Sequence, residues 1–477
     1  MKEVYKSLPQ QVDAKARAKG KNFFGFLMDM GTGKSKVVID EFCELYEKGE
    51  ITTVIIIAPN GVYRNWKSEE LPKHINTDEI QYEVFEYTSK NTSKKYAQYL
   101  SDMMSKPDIL KIFTINIESC STDRAFAYMT GILDNEEVYL AIDESHKIKN
   151  HKAKCTKACN HYGTLAKYRR ILTGTPLTNN PLDYYSQLNF LDPGCAGDSY
   201  FQFEYKYAIK KQIKAGTRTF PKVVGYRNIE ELQGLVSSLC YRITKEECIN
   251  LPEKLYIEHQ VELSNEQKRA YMEMHELKMM QLQSIEGENR IFASNALTAT
   301  MKLHQIICGH VKDEQGNTHL LPNKRGKELV ELINNINGQV VLWHCYIGDL
   351  LVIEPALREA GISFVFHNGS VSREQRQEAI NLFKDGNAKV FVATPATAGT
   401  GLTLTNANYQ IYYSNSYKLG DRVQSEDRLH RIGQHNPVTI IDMVVPGSID
   451  SKVVKSLKAK RSIADDILDN WREIIKL

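Results

Sequence analysis

Apolar runs alternate with amphipathic stretches along the first half of this chain. Residues 22–29 (NFFGFLMD) are almost all apolar, which predicts a short buried strand. In residues 34–49 the apolar side chains recur at helical spacing from Val38 to Tyr46, and Gly49 predicts the end of that helix. Further strand-like runs read TTVIIIAP, KIFTINIE, VYLAIDE and RRILTGTP. Strands that alternate with helices predict a parallel sheet covered by helices.

The pattern changes near residue 264. Residues 264–310 predict long packed helices, and Ser264 with Gln267 has the signature of a capping box at their start. The apolar positions expected to pack there are Leu277, Met280, Leu297, Met301 and Leu303. Strand–helix alternation then resumes in QVVLWHC, ISFVFHNG, AKVFVATP, YQIYYSN and VTIIDMVV. A second capping pair stands at Ser372 and Gln375, and the C-terminal residues predict a helix.

These patterns predict an α/β protein with two parallel-sheet lobes in tandem and a helical insertion. We expect the first lobe over residues 1–250, with a basic and aromatic extension at about 195–230. Residues 251–322 are expected to begin the second lobe and to hold the helical insertion, and residues 323–477 to complete that lobe and end in a helix.

Composition narrows the class of protein only a little. The chain has 477 residues, of which 42% are hydrophobic and 25% charged, as in ordinary globular proteins. Its apolar runs are too short to span a bilayer, and no signal peptide follows Met1, so we expect a cytoplasmic protein. The net charge of +3 neither requires nor excludes a nucleic-acid partner.

The nine cysteines do not suggest a disulfide framework, because their number is odd and no secretory signal is present. One cluster, HKAKCTKACNH, contains His151, Cys155, Cys159 and His161. Its spacing matches no common zinc finger, although the first three side chains could share a helix face. The ordinary interpretation is a helix that packs its small residues inward, and the sequence leaves metal binding open.

The segment MDMGTGKS, Met28 to Ser35, resembles a phosphate-binding loop. It keeps the last three positions of the pattern G-x-x-x-x-G-K-[ST], but Met28 stands in place of the first glycine. The segment lies between a predicted strand and a predicted helix, where the helix N-terminus can face an anion. Lys34 is expected to reach the β- and γ-phosphates of ATP, and Ser35 to hold Mg²⁺.

A pair of acidic residues follows another apolar strand in VYLAIDESHKIKN. Asp143 and Glu144 are expected at the carboxyl end of that strand, where open α/β sheets bind their ligands. One carboxylate could hold Mg²⁺ and the other could polarise the attacking water. Together with the phosphate loop, the pair predicts an ATPase.

Several motifs resemble the Swi/Snf-type DNA translocases of helicase superfamily 2. DESH is similar to the DEAD/DEAH-type box, and KIKN, LTGTPLTNNPLDYYSQLNFLDP and QSEDRLHRIGQ follow in the order that this family shows. The resemblance implies two RecA-like lobes, the use of ATP and Mg²⁺, and movement on duplex DNA. Tyr417-Lys418-Leu419 departs from the usual Trp-Asn-Pro, and Ser145 replaces the commoner alanine of the box.

The resemblance also implies roles for individual residues. Those expected to bind the nucleotide are Gln11, Gly31, Thr32, Gly33, Lys34, Ser35, Gly401 and Gln424. Asp143 and Glu144 would serve Mg²⁺ and the attacking water, while Arg428 and Arg431 would reach the γ-phosphate across the cleft. Residues expected to couple the nucleotide state to DNA grip are His146, Thr173, Thr175 and Gly399.

DNA contacts are also expected from the resemblance. The candidates are Asn60, Arg64, Asn116, Asn368, Ser370, Thr394 and Thr397, whose amides, hydroxyls and guanidinium suit phosphate contacts. A second candidate interleaves aromatic and basic residues: Tyr205, Tyr207 and Phe220 with Lys206, Lys210, Lys211, Lys214 and Arg218. A solvated helix with aromatic core contacts is the alternative for this stretch.

The favoured interpretation is an ATP-dependent motor that translocates on double-stranded DNA, in a compact bacterial or phage version. A strand-separating DNA helicase is the near alternative, and an RNA helicase is less favoured. A P-loop kinase would not need the paired arginines, and a nucleotide-gated binding module without motor activity stays open. The process, which could involve replication, recombination or repair proteins, is open too, and the two-lobed site permits a monomer.

Overall fold

The structure is a computed structural model in which the chain forms two compact units. The structure describes the whole chain except residues 1–4, 61, 178–179, 216–217, 249–250, 285–288, 314–316, 370, 401 and 470–477. For a further set of residues it describes the backbone but not the side chains: 214–215, 218, 277–284, 289–297, 373, 398–400 and 462–469. The first unit comprises residues 1–210, 223–250 and 462–477, and the second comprises 211–222 and 251–461.

A parallel sheet of seven strands forms the centre of the first unit. The strands are β1 (Phe23–Met28), β2 (Thr53–Ala58), β3 (Tyr82–Glu86), β4 (Leu110–Asn116), β5 (Val138–Asp143), β6 (Tyr168–Leu172) and β9 (Cys240–Ile243). The two strands between β6 and β9, β7 (Ala208–Ala215) and β8 (Arg218–Tyr226), pair only with each other. The order across the sheet is β3-β4-β2-β5-β6-β1-β9. The predicted parallel sheet is therefore confirmed.

Helices cover both faces of this sheet. They are α1 (Pro9–Ala18), α2 (Lys34–Glu47), α3 (Tyr63–Asn65), α4 (Leu71–His74), α5 (Lys94–Ser105), α6 (Asp123–Leu133), α7 (Lys154–Leu165), α8 (Tyr184–Leu191), α9 (Tyr200–Tyr207), α10 (Ile229–Leu239) and α11 (Lys245–Cys248). Side chains on alternate positions of β2 enter two separate cores, with Ile55 and Ile57 in one and Val54 and Ile56 in the other. A strand buried on both faces explains the unbroken apolar run in the sequence.

The second unit repeats the architecture with six parallel strands. They are β10 (Lys254–Gln260), β13 (Val340–Trp343), β14 (Phe364–His367), β15 (Val390–Ala393), β16 (Tyr409–Tyr412) and β17 (Val438–Val444), in the order β10-β17-β16-β13-β15-β14. A short antiparallel pair, β11 (His310–Lys312) and β12 (Thr318–Leu320), stands apart from this sheet. Two parallel sheets in tandem confirm the predicted fold class.

The helical insertion follows β10, the first strand of the second sheet. The helices after that strand are α12 (Asn265–Ser284), α13 (Asn289–Ile307), α14 (Arg325–Asn334), α15 (Leu350–Glu359), α16 (Arg373–Lys384), α17 (Leu419–Glu426) and α18 (Ile449–Asp469). Both predicted capping boxes are present: the Ser264 hydroxyl accepts from the Gln267 N–H at 3.1 Å, and Ser372 and Gln375 make the same exchange. Leu303 is buried as predicted, but Met301 is 45% exposed.

Several strands were not predicted. β3, with the sequence YEVFE, and β9, with CYRI, are short and carry charged residues because each lies at an edge of the first sheet. β10 is the edge strand of the second sheet, and its apolar Leu255 and Ile257 are about half exposed. Edge strands are less buried than central strands, so they lack the continuous apolar runs from which central strands can be predicted. Within the part of the chain that the structure describes, no helix combines the length and apolar character needed to cross a membrane.

Candidate nucleotide site and its relatives

The loop between β1 and α2 turns at two glycines. Gly31 and Gly33 have left-handed backbone conformations, with φ of +82° and +90°. Thr32 between them is fully buried, and its hydroxyl donates to the Asp29 carbonyl at 2.7 Å. Helix α2 begins directly afterwards at Lys34, so the free N–H groups of its first turn are available to an anion. The loop therefore has the form expected of a phosphate cradle.

The Lys34 ammonium lies on the loop itself. It donates to the Met28 carbonyl at 2.7 Å and to the Asp29 carbonyl at 3.2 Å. Met28, in place of the first glycine of the pattern, is fully buried in β1 and presents its carbonyl to the loop. Its side chain points into the core, so the substitution does not fill the cradle. Ser35 is the second residue of α2 and is half-buried.

Gln11 of helix α1 contacts the same loop. Its side-chain amide donates to the Gly33 carbonyl at 3.3 Å, and its amide oxygen accepts from the Leu8 N–H at 2.8 Å. A Cβ atom on Gly33 would lie 1.9 Å from the Gln11 nitrogen, so a side chain there would displace the end of Gln11, and the positive φ of Gly33 itself favours glycine. The structure places Gln11 beside the cradle, and its role in reading adenine stays a prediction.

Asp143 and Glu144 stand where β5 ends. Both Asp143 oxygens accept hydrogen bonds, one from the Glu144 N–H at 2.9 Å and the other from the Trp66 indole at 3.1 Å. Burial, and then the neighbouring Glu144 carboxylate, raise the pKa of Asp143 to about 7, while Lys34 acts in the opposite direction. Glu144 has a left-handed backbone, with φ of +52°, an uncommon conformation for a residue other than glycine.

The predicted coupling residues of the first unit form a chain behind Glu144. Its carboxylate lies 3.3 Å from Nδ1 of His146, and that nitrogen lies 3.2 Å from the Thr173 hydroxyl. The Thr173 oxygen accepts from the Thr175 N–H at 3.1 Å. These contacts join the end of β5 to the end of β6, so the structure brings together residues that lie about thirty positions apart in sequence.

Gly174 closes this arrangement against the phosphate loop. A Cβ atom on Gly174 would lie 3.0 Å from the Met30 nitrogen and 3.2 Å from the Asp29 Cα. Both neighbours are backbone atoms, which cannot move aside cheaply. Gly174 was not predicted as a site residue, although it stands between the predicted coupling residues Thr173 and Thr175.

In the second unit, two predicted arginines share one carbonyl. Arg428 and Arg431 donate to the Leu402 carbonyl at 3.4 and 3.1 Å, so both side chains lie beside the residue that follows the predicted glycine loop. Arg428 is buried and Arg431 half-buried. Gln424 is buried in α17. Gly399 lies in a short 3₁₀ turn, Pro395–Thr400, and Gly401 falls outside the described residues.

The candidate DNA contacts of the first unit differ in their surroundings. Asn60 and Arg64 are exposed, and Arg64 also donates to the Tyr63 hydroxyl at 3.1 Å and to Glu86 at 3.0 Å. Asn116 is buried, and its side-chain oxygen accepts from the Ser119 N–H at 2.8 Å. Asn116 thus caps the turn after β4, and its contact with DNA remains a prediction.

In the second unit, the candidates cluster after β14 and β15. The Thr397 hydroxyl donates to the His367 carbonyl at 3.1 Å and lies 3.2 Å from the Thr394 hydroxyl, so these threonines connect the two strand ends. Asn368, the residue that follows His367, is buried. Ser370 lies outside the described residues.

His367, at the end of β14, predicts a pH dependence of stability. Its side chain is 3% exposed, and burial, followed by the charge of Arg376, lowers its pKa from 6.5 to about 4. The unfolded chain therefore binds a proton near pH 6.5 that the folded chain does not, so stability falls as pH drops below 6.5. The free energy of unfolding should lose about 2 kcal/mol at pH 5 through this residue.

The variant His367→Phe tests this effect, because its ring can still pack on Phe391, whose ring centroid lies 5.4 Å away. Urea unfolding at pH 7 and pH 5 should show a smaller loss of stability in the variant than in the native chain. An equal loss in both would mean that His367 is protonated in the folded state or exposed to solvent.

The basic and aromatic stretch is not a single helix. It forms α9 and then the two strands β7 and β8. Tyr205 and Phe220 are exposed while Tyr207 is buried in the core, so the stretch mixes surface and core aromatics. Of its cations, Lys206 pairs with Glu231 and Lys210 with Glu204, Lys211 is exposed, and the side chains of Lys214 and Arg218 lie outside the described residues.

The His/Cys cluster is dispersed in the structure. His151 precedes α7 and stacks on Tyr200, with ring centroids 3.6 Å apart. Cys159 is fully buried in the core, Cys155 is half-buried, and the His161 ring stacks on Phe126. Among the described residues, no three His, Cys, Asp or Glu side chains form a group that could hold a metal ion.

A buried ionic network in the second unit was also missed. The Arg422 guanidinium stacks on Tyr412 at 3.6 Å, and it donates to Asp442 at 2.5 Å and to Glu426 at 2.8 Å. The surrounding cations, led by Arg461, hold the pKa of Glu426 well below its usual range. In the sequence, Arg422 and Glu426 look like an ordinary i,i+4 pair on a polar helix, because the partners that complete the network, Asp442 and Arg461, are distant in the chain.

The chain belongs to the family defined by the SNF2-related domain. The model of that domain matches residues 17–312, and the model of the helicase conserved C-terminal domain matches residues 324–433. Together the two models cover all seven strands of the first sheet, every strand of the second sheet except β17, and every candidate site residue except Gln11. The resemblance to Swi/Snf-type proteins seen in the motifs is therefore confirmed.

Several known proteins are similar along nearly the whole chain. YwqA of Bacillus subtilis (strain 168), provisionally named an ATP-dependent helicase/translocase, is 28% identical over 93% of this chain and 46% of its own length. A Mycoplasma pneumoniae protein named an uncharacterized ATP-dependent helicase is 26% identical over 94% of this chain and 40% of its own length. The DNA repair and recombination protein RAD54-like of Drosophila erecta is 26% identical over 94% of this chain and 61% of its own length. The chain thus spans about half the length of these relatives.

A solved structure is also similar. It is the Sulfolobus solfataricus SWI2/SNF2 ATPase core in complex with dsDNA, with 27% sequence identity and a TM-score of 0.43. The match covers 98% of this chain and 94% of that chain.

Proposed function

We propose that this protein is a DNA-dependent ATPase that translocates on double-stranded DNA. The observation that carries the proposal is the juxtaposition, within the first unit, of a phosphate cradle with an acidic pair. The positive charge of Lys34 opposes the rise in the pKa of Asp143 that burial causes. His146 contacts both the Glu144 carboxylate and the Thr173 hydroxyl, and so connects the acidic pair to the end of β6. Membership of the SNF2-related family and the names of its relatives support the same activity.

In this proposal, the loop and helix α2 bind the triphosphate through backbone N–H groups. Lys34 leaves its two carbonyl acceptors for the β- and γ-phosphates, because a charged acceptor makes the stronger hydrogen bond. Glu144 orients the attacking water and accepts its proton. His146 holds the Glu144 carboxylate in place and connects it to Thr173.

The residues fit a magnesium ion. Asp143 is a buried carboxylate whose raised pKa reflects a shortage of compensating positive charge, and Ser35 offers a hydroxyl at the start of α2. Carboxylate and hydroxyl oxygens are suitable ligands for Mg²⁺, which usually takes its other ligands from phosphates and water. When bound, Mg²⁺ would neutralise charge on the phosphates; Asp143 and Ser35 are the residues proposed to hold it.

We further propose that Arg428 and Arg431 supply positive charge to the γ-phosphate, and that Gly401 and Gln424 contribute to nucleotide binding. The shared carbonyl of Leu402 would tie both arginines to the end of the predicted glycine loop. Because Thr394 and Thr397 are candidate DNA contacts beside this loop, a change at the arginines would reach them through few bonds. Movement along DNA would follow if each nucleotide state prefers a different arrangement of these elements.

The DNA contacts are proposed at exposed Asn60 and Arg64, and at Asn116, Asn368, Thr394 and Thr397. Such amides, hydroxyls and guanidinium groups bind phosphates, so we expect little sequence preference. Bacterial or phage replication, recombination or repair is the proposed setting, because two of the relatives are bacterial and another is named for repair and recombination.

A strand-separating DNA helicase is the second candidate, favoured by relatives that carry the name helicase. ATP hydrolysis measured without nucleic acid, with blunt duplex DNA, with single-stranded DNA and with RNA distinguishes the two. Lys34→Ala serves as the inactive reference, and Lys48→Ala, an exposed lysine just past the end of the same helix, as the matched control.

We expect blunt duplex DNA to stimulate hydrolysis by the native chain and by Lys48→Ala, but not by Lys34→Ala. A triplex-displacement assay should then detect translocation without strand separation. Stimulation by single strands alone would replace the translocase with the helicase, and stimulation by RNA alone would exclude both DNA motors. Equal hydrolysis by Lys34→Ala would contradict the nucleotide site itself.

A further inference from the structure

A fully buried tryptophan holds the carboxylate proposed to bind magnesium. Trp66 is 1% exposed, and its indole nitrogen donates to Oδ2 of Asp143 at 3.1 Å. The other Asp143 oxygen accepts from the Glu144 N–H at 2.9 Å. With one hydrogen bond on each oxygen, the carboxylate plane cannot rotate without breaking a buried contact, which is costly. Trp66 therefore fixes the orientation of Asp143.

The parallel sheet brings these two residues together. β2 and β5 are neighbours, with Ile57 paired to Ile142, so the chain leaves β2 at Ala58 directly beside Asp143. The backbone then bends through Pro59, whose carbonyl accepts from the Val62 N–H at 2.8 Å and the Tyr63 N–H at 3.0 Å. This compact bend returns Trp66 to the strand ends, although 77 residues separate it from Asp143 in sequence.

The helix in this segment is irregular at Trp66. Residues Trp66–Glu70 form a π-helical turn between the short helices α3 and α4. Such turns are rare and are often found at functional sites. Here the turn begins at the residue whose indole contacts Asp143. A phenylalanine would fill apolar space without needing a polar partner, so the hydrogen bond is the feature that requires tryptophan.

The same segment has an outer face. Asn60 and Arg64 are exposed, whereas Tyr63 and Trp66 are buried. The exposed pair are candidate DNA contacts, and the buried Trp66 contacts the candidate metal ligand. Asn60 and Arg64 thus face solvent, while Trp66, a few residues further along, faces the nucleotide site.

We propose that Trp66 is a positioning residue for Asp143, through which DNA binding at Asn60 or Arg64 is transmitted to the nucleotide site. The inference rests on the proposed DNA-dependent ATPase activity. A DNA phosphate bound at Asn60 or Arg64 would shift the short helix Tyr63–Asn65 and, with it, Trp66. The indole hydrogen bond would carry that shift to the Asp143 carboxylate and alter its grip on Mg²⁺.

The test is the variant Trp66→Phe in the full chain, with Trp343→Phe as the matched control. Trp343 is also fully buried, and its indole donates to a side-chain oxygen, that of Gln410, at 2.9 Å in the second unit. Both substitutions remove one buried indole hydrogen bond. Only the first removes a bond to the nucleotide site.

The measurements are kcat and KM for ATP, with and without duplex DNA, over a range of Mg²⁺ concentrations. For Trp66→Phe we expect a roughly tenfold or greater rise in the Mg²⁺ concentration for half-maximal activity, as for other residues that orient metal ligands. Stimulation by DNA should also fall, while KM for ATP at saturating Mg²⁺ and DNA affinity without ATP stay near native values. Trp343→Phe should keep the native Mg²⁺ dependence and stimulation.

Native Mg²⁺ dependence and DNA stimulation in Trp66→Phe would overturn the inference while leaving the proposed function intact. Absence of DNA-stimulated hydrolysis in the native chain itself would overturn both. If Trp66→Phe does not fold, the fluorescence of a chain retaining Trp66 as its sole tryptophan supplies the answer. Its emission should change on adding duplex DNA and again on adding Mg²⁺ and ATP, and a spectrum insensitive to both would overturn the inference.

Discussion

Replacement of Glu144 by glutamine is expected to lower the rate of ATP hydrolysis by about 10²–10⁴-fold, the usual contribution of a general base. Glutamine keeps the size of the side chain but cannot accept a proton from water. The contact with Asp143 is made by the Glu144 backbone N–H, which the substitution leaves unchanged, and glutamine keeps a side-chain oxygen that can face Nδ1 of His146. The turnover number at saturating ATP, Mg²⁺ and duplex DNA measures the effect.

Glu137→Gln is the matched control, because Glu137 is an exposed carboxylate just before the same strand, paired with Lys167 at 2.9 Å. We expect that variant to turn over ATP at the native rate. Glu144→Gln should still bind nucleotide and melt at nearly the native temperature. Turnover within a few-fold of native would show that another group activates the water.

Arg431→Ala is expected to lower turnover by about 10³–10⁵-fold, the range found for arginines that stabilise charge in phosphoryl transfer. Arg431 is half-buried and donates to the Leu402 carbonyl at 3.1 Å, a neutral acceptor that it could exchange for a phosphate. Single-turnover hydrolysis, compared with nucleotide affinity in the same variant, separates loss of chemistry from loss of binding.

Arg431→Lys should remain impaired, because lysine keeps the charge but lacks the planar fork of the guanidinium. Arg358→Ala is the control in the same unit: Arg358 is exposed and pairs with Glu354 at 2.5 Å, so its removal should leave turnover unchanged. If Arg431→Ala lost affinity for ATP in proportion to its rate, the arginine would act in the ground state rather than in the transition state.

The central strands were predictable because burial on both faces selects unbroken apolar runs. β2 and β5 are fully buried along their length, and their sequences show it. The edge strands β3 and β9 did not show it, because an edge position admits charged and polar side chains. β10 could not be predicted for the same reason, because it is an edge strand that is defined by its pairing with β17, a strand much later in the chain.

The candidate site was predictable in part. A phosphate cradle consists of consecutive residues, so Gly31, Gly33 and Lys34 could be selected from a short segment. Asp143 and Glu144 could be placed because parallel strands present their carboxyl ends at one edge. The contacts of Asn116 with its own turn could not be foreseen, because an asparagine suits a backbone cap and a phosphate contact equally.

The sequence by itself determined the local features of this protein: the central strands, the capping boxes, the phosphate loop and the acidic pair. Each depends on residues a few positions apart, so short-range periodicity and backbone preferences are enough to define it. Only the tertiary structure decided which distant residues meet. It placed Gln11 against Gly33, Gly174 against Met30 and Trp66 against Asp143. Those contacts depend on strand order and packing, which a linear pattern does not contain.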